Sequence, residues 1–410
     1  MLDIKFIREN SKLIEESAKN KGVLVDIDKL LRIDLEKKTL DTKVQKLRAD
    51  RNIAAKERNI EKGKKIKEEL ETLEKNLAKL TKELDELLLQ IPNPAKKDVK
   101  KGKNDTENEV VRKVGEPRKF DFTPKDHLEL GEALNIIDVE RASKISGTRF
   151  YFLKNDAVLL EFALKQFAFE TLIKEGFVPL LPPVLIKTEI MKGLGYMENG
   201  GDEDMYILDK DNLALVGTSE QSIVAMHADE VLDEKDLPKR YVGFSSCFRR
   251  EAGSYGKDTK GILRAHQFDK IEMVSFVKKG EDDKEHEYFL SLEEKFLKAL
   301  DIPYQVVKMC TGDLGFPAAR KYDLEAWIPT QNKYRELTST STTTDFQARR
   351  LGVKYRSGEN TEFVNILNGT AFSTRPIIAI LENYQAKDGS IIVPEVLRKW
   401  MGKDKISLKK

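Results

Sequence analysis

Apolar residues recur at Ile66, Leu70, Leu73, Leu77, Leu80, Leu84, Leu87 and Ile91, in steps alternating between four and three. That alternation is the seam of a coiled-coil helix. A looser stripe runs through Ile33, Leu40, Val44, Leu47 and Ala54, and Arg51 interrupts it. From Asp26 to Ile91 there is no proline and a single glycine, Gly63, which lies between the two stretches. A lone seam cannot be buried, and the neighbouring stretch is its nearest partner. The pattern therefore predicts an antiparallel helical hairpin that turns near Gly63. Helices of roughly 25 to 35 residues would make it on the order of 40–50 Å long. The run Ile91-Pro92-Asn93-Pro94 stops the second helix, because proline lacks the N–H and its ring blocks the preceding turn.

After the hairpin the pattern changes. Residues Ala95 to Glu116 are rich in Lys, Asn, Asp and Gly and read as a linker. From about Phe120 the chain turns mixed and globular. A helical stretch over Asp156 to Glu175 is followed by β-rich pieces at Phe177–Ile186, Leu213–Val216, Arg240–Phe248, Phe268–Val277 and Tyr322–Ile328. Their irregular spacing lacks a βαβ rhythm and predicts an α+β fold with a mainly antiparallel sheet. The expected organisation is an N-terminal domain over 1–100 with its hairpin at about 26–91, a linker over 101–119, and a catalytic domain over 120–410.

The 410 residues carry 72 Lys and Arg against 70 Asp and Glu, a net charge of +2, so any nucleic-acid binding must come from local patches. Such a patch exists. Lys29 to Lys67 contains fourteen Lys or Arg and six Asp or Glu, whereas Glu68 to Gln90 contains three and seven. Solvated faces joined by interhelical ion pairs would account for this split. So would a basic rail lying along phosphates.

Cys247 and Cys310 form no C-x-x-C pair, and His127, His227, His266 and His286 have no ligand spacing, so neither a disulfide framework nor a zinc site is expected. The first ten residues, broken by Asp3, Lys5, Arg8 and Glu9, do not read as a signal peptide, and no run reaches the ~18 apolar residues of a membrane span. The expected location is the cytoplasm.

No G-x-x-x-x-G-K-[ST] loop occurs, Gly253-Ser254-Tyr255-Gly256-Lys257 being too short, and no G-x-G-x-x-G follows a strand-like piece. A bound nucleotide must be held by side chains. The run Cys247-Phe248-Arg249-Arg250-Glu251-Ala252-Gly253, continuing through Lys257 to Arg264 and then His266-Gln267-Phe268-Asp269-Lys270-Ile271-Glu272-Met273, offers them. Alternation puts Arg249 with Glu251 on one strand face, and Phe268 with Glu272 on another. An arginine fork, a carboxylate and an aromatic plate can hold a phosphate, an amine and a base ring.

This block resembles motif 2 of the class II aminoacyl-tRNA synthetases, in the form found in bacterial seryl-tRNA synthetases. Similar blocks follow in order along nearly the whole chain: Lys125 to Gly131, Ser146 to Tyr151, Thr218-Ser219-Glu220-Gln221, Tyr322 to Pro329, Arg335 to Ser339, Asp345-Phe346-Gln347-Ala348-Arg349-Arg350, and Leu381 to Gln385.

The resemblance implies activation of L-serine by ATP and transfer to the 3′ end of tRNA-Ser, with tRNA-Sec as a further acceptor. It implies two catalytic arginines, Arg249 on the α-phosphate and carboxylate and Arg375 on the γ-phosphate and one adenine face. Phe268 would stack on the other face. Arg250, Glu251, Ala265, Leu337 and Thr338 complete the implied ATP set. Glu336 and Ser339 match the positions that hold Mg²⁺, for which oxygen donors are suited. Thr218, Ser219, Glu220, Arg249, Glu272 and Thr370 match serine-binding positions. The hairpin is implied to grip the long variable arm of the tRNA. Gly176 to Ile190, with Pro179, Pro182 and Pro183, resembles motif 1, which implies a homodimer.

Some positions depart from the commoner pattern. Thr370 stands where serine is frequent, Ser219 where alanine is, Thr340 where cysteine is, and Pro376 follows Arg375. Two rival readings are an amino-acid-activating paralogue without tRNA and a non-catalytic RNA-binding scaffold. The long hairpin argues against the first, and retention of Arg249, Glu272, Glu336 and Arg375 against the second.

Overall fold

The computed structural model describes residues 1–252 and 260–408, and the chain divides into two compact units, Met1–Pro94 and Ala95–Lys410. Gly253 to Thr259, within the motif-2-like block, therefore lie outside the described residues.

In the first unit two short helices, Ile4–Glu9 and Ser11–Asn20, precede α1 (Ile27–Lys56) and α2 (Ile60–Leu89). Val44 and Ala54 of α1 pack with Ile66 and Leu70 of α2, with Leu47, Leu73 and Leu77 beside them. Arg51 is exposed, as a charge on the stripe's edge must be. The turn differs from expectation. It falls at Glu57–Asn59, and Gly63 lies inside α2. Asn59 caps α2 by accepting from the Lys62 backbone N–H at 3.0 Å, and Arg58 adopts the left-handed conformation at φ 56°. An asparagine cap satisfies an orphan N–H, which a mid-helix glycine cannot do. The basic and acidic helices pair at Lys29–Glu83, Lys43–Glu69 and Arg48–Glu74. At the tip, Lys56, Arg58, Lys62, Lys64 and Lys65 are exposed.

The second unit is built on an eight-stranded sheet. Its strands are β1 (Glu109–Val114), β2 (Val178–Leu180), β3 (Lys239–Phe248), β4 (Gln267–Val277), β5 (Tyr304–Lys308), β6 (Arg320–Ile328), β7 (Lys333–Thr344) and β8 (Asn365–Ser373). Their order across the sheet is β1-β5-β6-β7-β8-β4-β3-β2, antiparallel throughout except for the β2–β3 edge pair. The α+β expectation holds. The boundary expectation shifts, because β1 lies within the stretch read as linker and pairs with β5 from Glu109↔Lys308 to Val114↔Tyr304. All but one of its residues are exposed, so no buried alternation marks it as a strand in the sequence.

Helix α3 (Asp156–Lys174) and helix α6 (Asp282–Ala299) supply Leu160, Leu164, Phe167, Phe289 and Phe296 to one core with Phe372 of β8. Between them in the chain lie α4 (Thr188–Leu194) and α5 (Ser219–Ala225). After β7 and β8 come α7 (Phe346–Leu351) and α8 (Arg375–Asn383). Helix α6 packs closely over Gly369 of β8. A Cβ there would stand 3.0 Å from the Phe289 ring and 3.1 Å from Glu293 Oε1. Pro376 sits in the first turn of α8, where a missing N–H breaks no helical bond.

Candidate active site

The sheet face opposite α6 carries a pocket of about 270 Å³. Strict alternation on β4 points Phe268, Lys270 and Glu272 into it. On β7 and β8 the alternation is broken, and the breaks build the site. Leu324 pairs with Thr338 but Glu325 with Glu336, so Leu337 is an extra residue in β7. Glu336 and Ser339, three apart, thereby reach one face. Ile271 pairs with Phe372 but Glu272 with Thr370, leaving Ala371 extra in β8. The bulge brings Ser373 to the face that Asn368 and Thr370 already occupy.

Two arginines close the pocket. Arg249 donates from Nε and Nη2 to the Gly217 carbonyl, both at 3.2 Å, and its guanidinium lies 5.3 Å from the Phe268 ring centre. Arg375, at the start of α8, donates to the Leu263 carbonyl at 3.3 Å and meets Glu336 Oε2 at 3.0 Å. Burial opposes ionisation of Glu336, but Arg375, Lys321 and Arg249 outweigh it and hold the carboxyl well below the usual range. Arg264 binds Glu251 at 2.7 Å.

A second cluster is anionic. Thr218 caps α5, and Glu220 follows it, buried. Burial and the nearby Glu272 raise the Glu220 carboxyl to about 7. Gln347 donates to Glu220 Oε1 at 3.2 Å. Glu272 is 1% exposed, accepts from Thr370 Oγ1 at 3.2 Å, and pairs with Lys270 at 2.6 Å. Two carboxylates on one side and two arginines on the other can orient a zwitterion against a polyanion.

The pocket thus gathers Arg249, Glu251, Ala265, Phe268, Glu336, Leu337, Ser339 and Arg375 with Thr218, Glu220, Glu272 and Thr370. Three expected side chains point elsewhere. Arg250 is exposed and stacks 5.3 Å over the Tyr206 ring, since neighbours on an extended segment diverge. Ser219 is buried and donates to the Gly243 carbonyl at 3.2 Å. Thr338, opposite in facing to Ser339, donates to Glu293 of α6 at 2.9 Å. The sequence reading missed Tyr196, Lys270, Lys321, Asn368 and Thr374, which also line the pocket. Alternation with Phe268 and Glu272 could have found Lys270. Tyr196 comes from a distant turn with no local signal.

Among the described residues no cluster of three or more His, Cys, Asp or Glu is arranged as a metal cage. The ionised Glu336 beside the Ser339 hydroxyl fits a hard cation that takes its remaining oxygens from phosphates and water.

A bulged antiparallel sheet with a motif-2-like hairpin and a C-terminal arginine defines a class II aminoacyl-tRNA synthetase core. The family model of the class II tRNA synthetase core domain (G, H, P, S and T) matches residues 205–384. The model of the seryl-tRNA synthetase N-terminal domain matches residues 1–95. A serine–tRNA ligase of Dictyoglomus turgidum is 42% identical over the whole of both chains. The crystal structure of seryl-tRNA synthetase from Pyrococcus horikoshii complexed with ATP superposes with a TM-score of 0.94 at 38% identity, covering all of both chains. That of the cytoplasmic serine–tRNA ligase from Naegleria fowleri in complex with AMP gives 0.90 at 35%, covering 100% and 99%. The chain belongs to the seryl-tRNA synthetase family.

Proposed function

We propose that the chain is a serine–tRNA ligase whose pocket joins the carboxylate of L-serine to the α-phosphate of ATP. One carboxylate oxygen attacks the α-phosphorus, the bond to the β-phosphate oxygen breaks, and pyrophosphate leaves. A hydroxyl at the tRNA 3′ end then attacks the seryl carbonyl and AMP departs. Arg249 draws the two anions together, and Arg375 neutralises the leaving end while closing over adenine opposite Phe268. Glu220, Glu272, Thr218 and Thr370 take the ammonium and hydroxyl of serine. Glu336 and Ser339 would hold Mg²⁺, which would supply charge neutralisation on the phosphates.

The observation that carries this reading is that one pocket gathers both arginines, from beyond β3 and from α8, with both buried carboxylates, from α5 and β4. The exposed basic tip of the hairpin supports a grip on the variable arm of tRNA-Ser. The same charge would serve tRNA-Sec. Exposed Leu159, Phe162 and Ile173 of α3, with Val178 and Leu181 within the motif-1-like stretch, support a homodimer that covers them. Buried free Cys247 and Cys310 accord with a reducing cytoplasm. Among the described residues no helix is long and apolar enough to cross a membrane.

The test is ATP–pyrophosphate exchange with each of the twenty amino acids, followed by aminoacylation of tRNA-Ser. Serine alone should drive exchange. Exchange driven by another amino acid, or none with any, would overturn the reading.

A further inference from the structure

The stretch Asp345 to Arg350 takes no part in the chemistry above, yet Phe346, Gln347 and the Arg350 side chain are deeply buried. Gln347 is 0% exposed, as is the Arg350 side chain. What they hold is one segment. Gln347 Nε2 donates to Glu220 at 3.2 Å and also lies 3.4 Å from the Leu194 carbonyl. Arg350 donates to the carbonyls of Gly193 at 2.9 Å and Lys192 at 2.7 Å, and pairs with Glu198. The Phe346 ring backs Gly195, whose φ of 87° is left-handed and where a Cβ would stand 3.2 Å from the ring. Helix α7 thus fastens residues 192–198 along their length.

That segment carries Tyr196 into the pocket. It lies within the electrostatic reach of Glu220, Glu272 and Arg249. Phe268, the other aromatic lining residue, stands under the Arg249 guanidinium. The remaining groups at the Glu220 end are polar: Thr218, Glu272, Thr370 and Lys270.

Polar groups of this kind reject an amino acid that lacks a hydroxyl, because they would be left unpaired. They cannot reject one that keeps the hydroxyl and adds a methyl. Discrimination against the methyl must come from shape, and shape works only if the wall does not yield. We infer that Tyr196 is a specificity-determining residue of the amino-acid pocket, a ring wall that admits serine and turns away threonine, kept in place by the Gln347–Arg350 clamp. This rests on the serine-activating reading. Gln347 and Arg350 are positioning residues, acting through Tyr196 and Glu220.

The test compares serine, threonine and alanine in pyrophosphate exchange by the full-length protein. The wild type should prefer serine to threonine by about 100-fold in kcat/KM, the scale of one methyl in a rigid pocket. Tyr196→Ala should lower that ratio about tenfold or more, by a rise in threonine exchange, while alanine stays rejected. Tyr196→Phe keeps the ring, so the ratio should stay within about threefold. Arg350→Met should lower the ratio less than Tyr196→Ala does, raising serine KM more than it lowers kcat. Should Tyr196→Ala fail to fold, Tyr196→Leu gives the same readout with the same expected direction. An unchanged serine-to-threonine ratio in the folded Ala or Leu variant overturns the inference and leaves serine activation standing. Wild-type exchange that responds to an amino acid other than serine overturns instead the reading beneath it.

Discussion

Arg48 and Glu74 meet at 2.9 Å across the hairpin with 47% and 42% of their side chains in water. Lys270 and Glu272 meet at 2.6 Å in the pocket with 10% and 2% exposed. The pairs are close in length and opposite in consequence. In water the attraction is offset by hydration and side-chain freedom, so the hairpin pairs add little beyond register. In the pocket each charge depends on its partner, because removing one leaves the other desolvated. The hairpin can spare a charge, and the pocket cannot.

The largest expected effects lie in the pocket. Glu272→Ala removes one of the two carboxylates proposed to bind serine and strands Lys270, and Arg249→Ala removes the cation proposed to draw the two anions together. Each should lower serine-dependent pyrophosphate exchange by about 1,000-fold or more. A near-normal rate in either folded variant would erase the contrast between the two regions.

Removing the hairpin should separate the two reactions. Deleting Asp26 to Ile91 and closing the gap should cut aminoacylation of tRNA-Ser by roughly 100-fold or more, as phosphate contacts are lost. Adenylate formation, measured by exchange, should stay within about threefold, since the deleted residues supply none of the pocket lining. Equal loss of both activities would mean that the hairpin does more than bind tRNA.

Acidity should touch the pocket before the hairpin. The Glu220 carboxyl is raised by burial to about 7, so the ionised form, proposed to attract serine's ammonium, is present above that pH and lost below it. The KM for serine should therefore rise about tenfold between pH 8 and pH 6. Glu220→Gln should flatten the profile at a high KM. A flat profile in the wild type would show that Glu220 does not face the ammonium.

The smallest effect belongs to the hairpin. Arg48→Ala should cost about 0.5 kcal/mol, and less in high salt. Thermal melts of wild type, both single variants and the double variant with Glu74→Ala would measure it. A coupling above about 2 kcal/mol would place that pair in the same regime as the pocket.

The two regions were also unequally legible. The hairpin follows from apolar spacing alone, and only its turn was misplaced, because Asn59 as a cap outweighs Gly63 as a break. The pocket's residue types were legible as ordered blocks, and β4 showed its facing by alternation. The differences came where alternation fails. Thr338 was expected in the ATP set; its side chain faces Glu293, because the extra residue Leu337 brings Ser339 to the pocket face. Strand β1 was read as linker, because an edge strand exposed on both faces leaves no buried pattern.

By itself the sequence determined the hairpin helices, the α+β class and which chemical groups are available, because periodicity and residue type are local properties. Tertiary structure alone decided which groups share a face and how rigidly. The bulges at Leu337 and Ala371 depend on how neighbouring strands pair, and Tyr196 lines the pocket from a turn anchored by a helix about 150 residues later in the chain. Pairing and anchoring are set by contacts between distant segments, and no local pattern carries them.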